Sequence, residues 1–130
     1  MKTEHIRLSK IEPLHSAGDR ALVRQLAQSM QQEGWRGNPL LVIDLGYGYQ
    51  ALTGSHRLEA AREAGLDEVP AVVIDDPGHR VKGDGCETCG NDCRIIRLIE
   101  ARDDYERADI VTEIYGEDYA TLLLAEIDGE

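Results

Sequence analysis

The sequence predicts an α+β fold. Strand and helix patterns run in the order β-α-β-β-α-β up to residue 75, and only helical patterns follow. Two short apolar runs, 40-LLVID-44 and 69-VPAVVI-74, have the length and composition of strands. Each follows a segment with apolar residues at helical spacing, about 20–33 and 54–65.

Residues 5–11, His-Ile-Arg-Leu-Ser-Lys-Ile, have strand spacing that turns Ile6 and Leu8 inward, with Ile11 a further candidate for the inward face, and Pro13 ends the strand. Asp19 is a capping residue for the helix over 20–33. Leu22, Val23, Leu26, Ala27 and Met30 share one of its faces, and Gly34 stops it. Pro39 opens the 40–44 strand, and the turn signal 46-GYGY-49 sends 49–52 back as its partner. The helix over 54–65 packs through Leu58, Ala60, Ala61 and Ala64, with Gly65 as its C-terminal cap. Residues 75–93, rich in Gly and Asp, have loop composition. From Arg94 the pattern is helical through Ile95, Ile96, Leu98 and Ile99, then Ile110, Val111 and Ile114, and ends in the amphipathic run 118-DYATLLLAEI-127. The expected organisation is a core over 1–75, a cysteine-containing loop over 76–93 and an acidic helical extension over 94–130 that packs on the core, making one domain overall.

A chain of 130 residues can bury a core without staples. No apolar run approaches the roughly 20 residues that cross a bilayer, and the N-terminus lacks a signal peptide's apolar stretch. A cytoplasmic location is expected. The net charge of -11 argues against nonspecific grip on nucleic acid. The charge is uneven. Residues 1–74 carry 8 Lys/Arg against 9 Asp/Glu, a balance of -1, and residues 75–130 carry 6 against 16, a balance of -10. The first part can host an anion and the second repels one.

The stretch 53-TGSHR-57 stands where a strand hands over to a helix. Free backbone N–H groups and the helix dipole favour an anion there. Gly54 allows close approach, Ser55 adds a hydroxyl, His56 a titratable donor and Arg57 a guanidinium fork. Together these residues describe a phosphate cradle. The plainer alternative is a tight turn and helix cap with His56 and Arg57 in solvent.

Residues 52–75 resemble the signature of the ParB/sulfiredoxin superfamily, in which a Gly-x-His-Arg element begins a helix. Ala60, Ala61, Gly65, Val69 and Pro70 stand at the matching offsets, and the upstream strand, helix and 38-NPLLVID-44 agree over about residues 5–75. The resemblance implies a mixed sheet with packed helices, here with a C-terminal helical extension. It implies binding of ATP or CTP with Mg²⁺ through Thr53, Gly54, Ser55, His56 and Arg57, with Arg20 reaching the same pocket. NTP hydrolysis or phosphoryl transfer, as in a small-molecule kinase, would place His56 and Arg57 at the transferred group, with Glu59 or Glu12 as carboxylate. A bacterial, plasmid or phage setting suits such a domain. Ser55 replaces the reactive cysteine of sulfiredoxins, which removes sulfinic repair by that route. The Glu-Asn-x-x-Arg stretch of ParB is missing, so DNA binding by this chain alone is not expected.

Cys86, Cys89 and Cys93 follow His79 within one loop. Cys-x-x-Cys lets two thiolates reach one ion from a tight turn, and Cys93 plus His79 or an Asp would complete a tetrahedral set, zinc first. An iron–sulfur cluster, free thiols and a reversible Cys86–Cys89 disulfide remain alternatives. Asp103, Asp104 and Glu106 are candidates for magnesium or for a solvated helix face, and Tyr105, Tyr115 and Tyr119 for packing. Two further functions stay open. One is a non-catalytic module whose acidic helices engage a basic protein. The other is a ParB-like nuclease, which the acidic charge disfavours.

Overall fold

The alternating N-terminal segment does not form one strand. In the computed structural model, which describes residues 2–15, 17–82, 85–90 and 92–128, it divides into β1 (Thr3–Arg7), a 3-10 turn (Leu8–Lys10) and β2 (Ile11–Glu12). Then follow α1 (Arg20–Glu33), β3 (Leu40–Asp44), β4 (Tyr49–Ala51), α2 (Ser55–Ala64) and β5 (Glu68–Asp75). Beyond them come β6 (Val81–Lys82), β7 (Gly85–Cys86), α3 (Arg94–Glu100), α4 (Asp104–Tyr115) and α5 (Glu117–Asp128).

The break in the first strand has a topological cause. The mixed sheet has the order β1-β5-β3-β4-β2, so β1 and β2 lie on opposite edges. β1 runs antiparallel to β5, and β2 runs parallel to β4. Three residues of 3-10 helix advance the chain by roughly 6 Å, so the sheet must curl until its edges nearly meet. Ile6, Leu8 and Ile11 are all buried, and the 3-10 turn from Leu8 to Lys10 is what brings the out-of-phase Ile11 inward. α1, the hairpin of β3 and β4, α2 and β5 form where the sequence places them.

Both faces of the central strands are covered, which explains their continuous apolar character. Leu40 and Val42 of β3 and Val69 and Ala71 of β5 join a core built with Val23, Ala27 and Met30 of α1 and Leu58, Ala60 and Ala61 of α2. Leu41 and Ile43, with Val72 and Ile74, join a second core on the opposite face. Ile95, Ile96 and Leu98 of α3, Val111 of α4 and Leu123 of α5 complete it. The helical extension therefore spends its apolar side on the sheet.

The loop expected over 75–93 contains a two-stranded hairpin, in which Val81 pairs with Cys86 and Lys82 with Gly85. Strands of two residues are too short to show an alternation. Residues 83, 84 and 91 of that loop, and 129 and 130 of the extension, lie outside the described residues. Of the three tyrosines read as core or interface residues, Tyr105 is exposed and outside the core, whereas Tyr115 and Tyr119 pack against the second core.

Asp103, Asp104 and Glu106 each have a protein partner. Asp103 Oδ1 accepts the Glu106 N–H at 2.8 Å and caps α4. Asp104 pairs with Arg107, and Glu106 pairs with Arg102. Asp103→Ala is expected to cost about 1 kcal/mol and Asp103→Asn only a fraction of that, because the amide oxygen still caps. Urea unfolding midpoints check both.

Candidate functional site: the start of α2 and a cysteine–histidine cluster

α2 starts on Gly54, which is left-handed at φ +71°, and no side chain caps it. The strand-to-helix turn is held from below. The Leu52 N–H donates to the Leu41 carbonyl at 2.8 Å, and the Leu41 N–H donates to Thr53 Oγ1 at 3.0 Å. Thr53 is thus a buried continuation of the β-ladder, and its hydroxyl is used on the backbone.

Arg57 does not reach outward with its neighbours. Its guanidinium lies 4.9 Å from the centre of the Trp35 ring, and Nη1 donates to the carbonyls of Arg36 and Asn38. The side chain is only 6% exposed. It fastens the 35–38 loop to α2 by stacking and hydrogen bonding. Ser55 and His56 are half-buried at the helix start. His56 Nε2 accepts the backbone N–H of Asp19 at 3.2 Å, so in the neutral ring Nδ1 carries the proton. Asp19 is itself the cap of α1, accepting the Leu22 N–H at 3.1 Å. The two helix starts therefore meet through His56.

Arg20 lies along the seam between these helices. It donates to Glu63 at 2.6 Å and approaches Glu59 at 3.8 Å. Glu59 also faces Arg62 at 3.9 Å. Glu12 is exposed on β2. Two open clefts of about 760 and 570 Å³ lie elsewhere. One is lined by Arg7, Arg62, Asp67 and Glu68, the other by Glu12, Tyr47, Gln50 and Ile99, and neither includes residues 53–57.

The second constellation brings together residues that the sequence singles out. The ligating atoms of His79, Cys86, Cys89 and Cys93 all lie within 4.8 Å of one another. His79 Nδ1 is 3.3 Å from Cys89 Sγ and 3.2 Å from Cys93 Sγ. The other ring nitrogen, Nε2, donates to Asp76 Oδ1 at 3.2 Å. All three cysteines are free thiols, and of these only Cys89 is exposed.

Asp76 is the anchor of this region. Arg94 grips it with a two-pronged fork at 2.6 Å on each oxygen, and the Tyr115 hydroxyl donates to Oδ2 at 2.6 Å. The Arg94 guanidinium holds the carboxyl well below the usual carboxylate range, against burial, with Tyr115 and His79 adding to the effect. Asp76 in turn raises Arg94, while burial first and then Asp76 raise the Tyr115 hydroxyl. At Cys86 burial works upward, but the N–H groups of Cys89 and Thr88 and contacts with Cys93 and His79 outweigh it and bring the thiol down to about 6. Burial and the neighbouring Cys86 and Cys93 push Cys89 up to about 11. One thiolate is favoured here and a second beside it is opposed.

Comparison with known proteins settles the lineage. The family model "ParB N-terminal domain" matches residues 1–81. The chain belongs to the ParB N-terminal domain family. Spo0J, a chromosome-partitioning protein of Thermus thermophilus, is 47% identical over 53 residues, which are 41% of this chain and 19% of that protein. Sulfiredoxin from Arabidopsis thaliana superposes with a TM-score of 0.51 at 25% identity, covering 59% of this chain and 89% of its own. A C-terminally truncated ParB of Caulobacter crescentus, solved as a complex with CTP-gamma-S, shares the fold at TM-score 0.51 and 19% identity. That match covers 95% of this chain and 72% of the other. The ParB/sulfiredoxin-like α+β fold is thereby established.

The ParB family match ends at residue 81, so Cys86, Cys89, Cys93 and α3 to α5 lie beyond it. Within the ParB-like part, sequence reasoning did not find Trp35 as the partner of Arg57. Asp76, also inside the match, was missed, as were Arg94 and Tyr115 beyond it. Asp76 did carry a signal, since a carboxylate three residues before a candidate ligand histidine can orient the imidazole.

Proposed function

We propose that this ParB-like chain binds a nucleoside triphosphate, ATP or CTP with Mg²⁺, at the start of α2. The observation that carries the reading is a helix opening on a left-handed glycine with no side-chain cap, beside the start of α1. Such an end presents backbone N–H groups and a positive dipole to an anion. The CTP-gamma-S complex of Caulobacter ParB, a protein of the same fold, supports a nucleotide as that anion. In this reading the N–H groups of Ser55 and His56, the Ser55 hydroxyl and His56 Nδ1–H meet the phosphates. Gly54 supplies the left-handed backbone that opens the helix, while Thr53 and Arg57 hold the turn in shape. Arg20 and Glu59 flank the site, and His56 would stabilise charge if a phosphoryl group is hydrolysed or transferred. The extension over 94–128 forms one folding unit with the core, because its apolar side is spent on the sheet.

Calorimetric titration of ATP, ADP and CTP with Mg²⁺ tests the site in the parent and in Ser55→Glu. A carboxylate in the first turn suits the helix dipole, so the urea midpoint should not fall. It also repels phosphate. One nucleotide is expected to bind the parent and to lose at least tenfold in affinity, about 1.4 kcal/mol, in the variant. Equal affinity in the two proteins, or no binding to the parent, overturns the reading.

A further inference from the structure

We propose that His79 Nδ1 and the sulfurs of Cys86, Cys89 and Cys93 form a closed, structural site for one zinc ion that ties the end of β5 to the helical extension. The geometry comes first. Zinc holds sulfur at about 2.3 Å and imidazole nitrogen at about 2.0–2.1 Å, so the donors of a tetrahedral one-histidine, three-cysteine site stand roughly 3.5–3.8 Å apart. The four donor atoms here span at most 4.8 Å, and two nitrogen–sulfur distances are 3.2 and 3.3 Å. Small movements would seat an ion.

The backbone is shaped for the same end. Cys86 and Gly90 exchange hydrogen bonds, N–H to carbonyl at 3.3 and 2.8 Å, which closes the turn around Glu87, Thr88 and Cys89. The Cys89 N–H then points at Cys86 Sγ at 3.4 Å. Cys93 arrives from the start of α3, and His79 from the segment after β5. Core packing accounts for buried Cys86 and Cys93, but not for the exposed Cys89 thiol and the polar His79 ring turned onto the same point.

The orientation of His79 is the independent observation. Its Nε2 must be the donor, because its partner Asp76 Oδ1 is a carboxylate oxygen. The Nδ1 lone pair consequently faces the sulfurs. A carboxylate behind the imidazole is the usual outer partner of a metal-bound histidine, fixing its tautomer and its angle. Asp76 is fixed in turn by Arg94 of α3 and Tyr115 of α4, so the ion would be braced by both helices. Four protein donors leave no coordination position for substrate, which marks the site as structural rather than catalytic. Exposed Cys89 gives the ion its way in.

The test is elemental analysis of the full chain purified under reducing conditions, followed by cobalt(II) titration of the metal-stripped protein. One zinc per chain is expected, with the intense visible bands of a tetrahedral thiolate cobalt site. Cys89→Ser, at an exposed position, is expected to lose the metal while keeping its helical circular dichroism. Asp76→Asn is expected to weaken zinc binding by about 10–100-fold, as loss of an outer partner does. A chelator should lower the thermal midpoint of the parent and leave that of Cys89→Ser unmoved. Any of three results overturns the proposal: no zinc or cobalt uptake by the parent, a brown iron-bearing protein, or a zinc content that Cys89→Ser does not change.

Discussion

Asp76→Ala is expected to lower the unfolding free energy by about 2–4 kcal/mol, measured in urea with a chelator present so that no metal contributes. The carboxylate is buried and accepts four hydrogen bonds, two on each oxygen, from Arg94, His79 and Tyr115. Hydrogen bonds to a charged group contribute about 1.5–3 kcal/mol each. Their sum is not lost, because Arg94 is half-exposed and rehydrates once released. Tyr115 and His79 do not escape so easily, since Tyr115 packs against the second core and His79 is buried. Asp76→Asn keeps the shape and an acceptor but loses the charge, so it should fall between parent and Ala. The denaturant slope should stay constant, since the same surface is exposed on unfolding. A cost below about 1 kcal/mol for Asp76→Ala would mean that the three partners find others, and the anchor would lose its structural meaning.

This anchor also shows why part of the molecule was legible in the sequence and part was not. Periodicity reports a face, and it placed α1, α2, β3 and β5 because each has a strong apolar pattern set by the sheet it covers. The same signal failed at residues 5–11. Alternation joins Ile6 and Leu8 and then slips, since Ile11 is out of phase by one residue, but nothing local says that the chain must cross from one sheet edge to the other. Candidate ligands were legible because cysteines are few and their spacing is chemical. Asp76 was legible only through His79, three residues on, because its other partners, Arg94 and Tyr115, stand 18 and 39 residues away and only tertiary structure joins them. Arg57 shows a different limit of the sequence. Its place in a four-residue motif suggests a ligand contact, while the folded chain turns it beneath Trp35, an aromatic that carries no motif of its own.

The inward turn of Arg57 gives Gly54 a second duty, and Gly54→Ala is expected to cost roughly 2–5 kcal/mol. Two terms add. The residue sits at φ +71°, where a side chain costs about 1–2 kcal/mol. A methyl group there would also stand 2.4 Å from Leu40 Cδ2 and 3.4 Å from Arg57 Nη2. Leu40 is fully buried between α1, α2 and the sheet. Such overpacking costs about 1–3 kcal/mol in a close-packed core. Gly65 supplies the reference, because it ends the same helix at φ +80° with nothing within 4 Å of an added Cβ. Gly65→Ala should therefore show the backbone term alone, about 1–2 kcal/mol. The difference between the two variants measures the Leu40 contact. On a Leu40→Val background, which removes Cδ2, the cost of Gly54→Ala should fall toward that of Gly65→Ala. If the cost stays unchanged, the strain lies in the backbone. The glycine would then be kept at the helix start for its dihedral angles rather than for the closeness of β3.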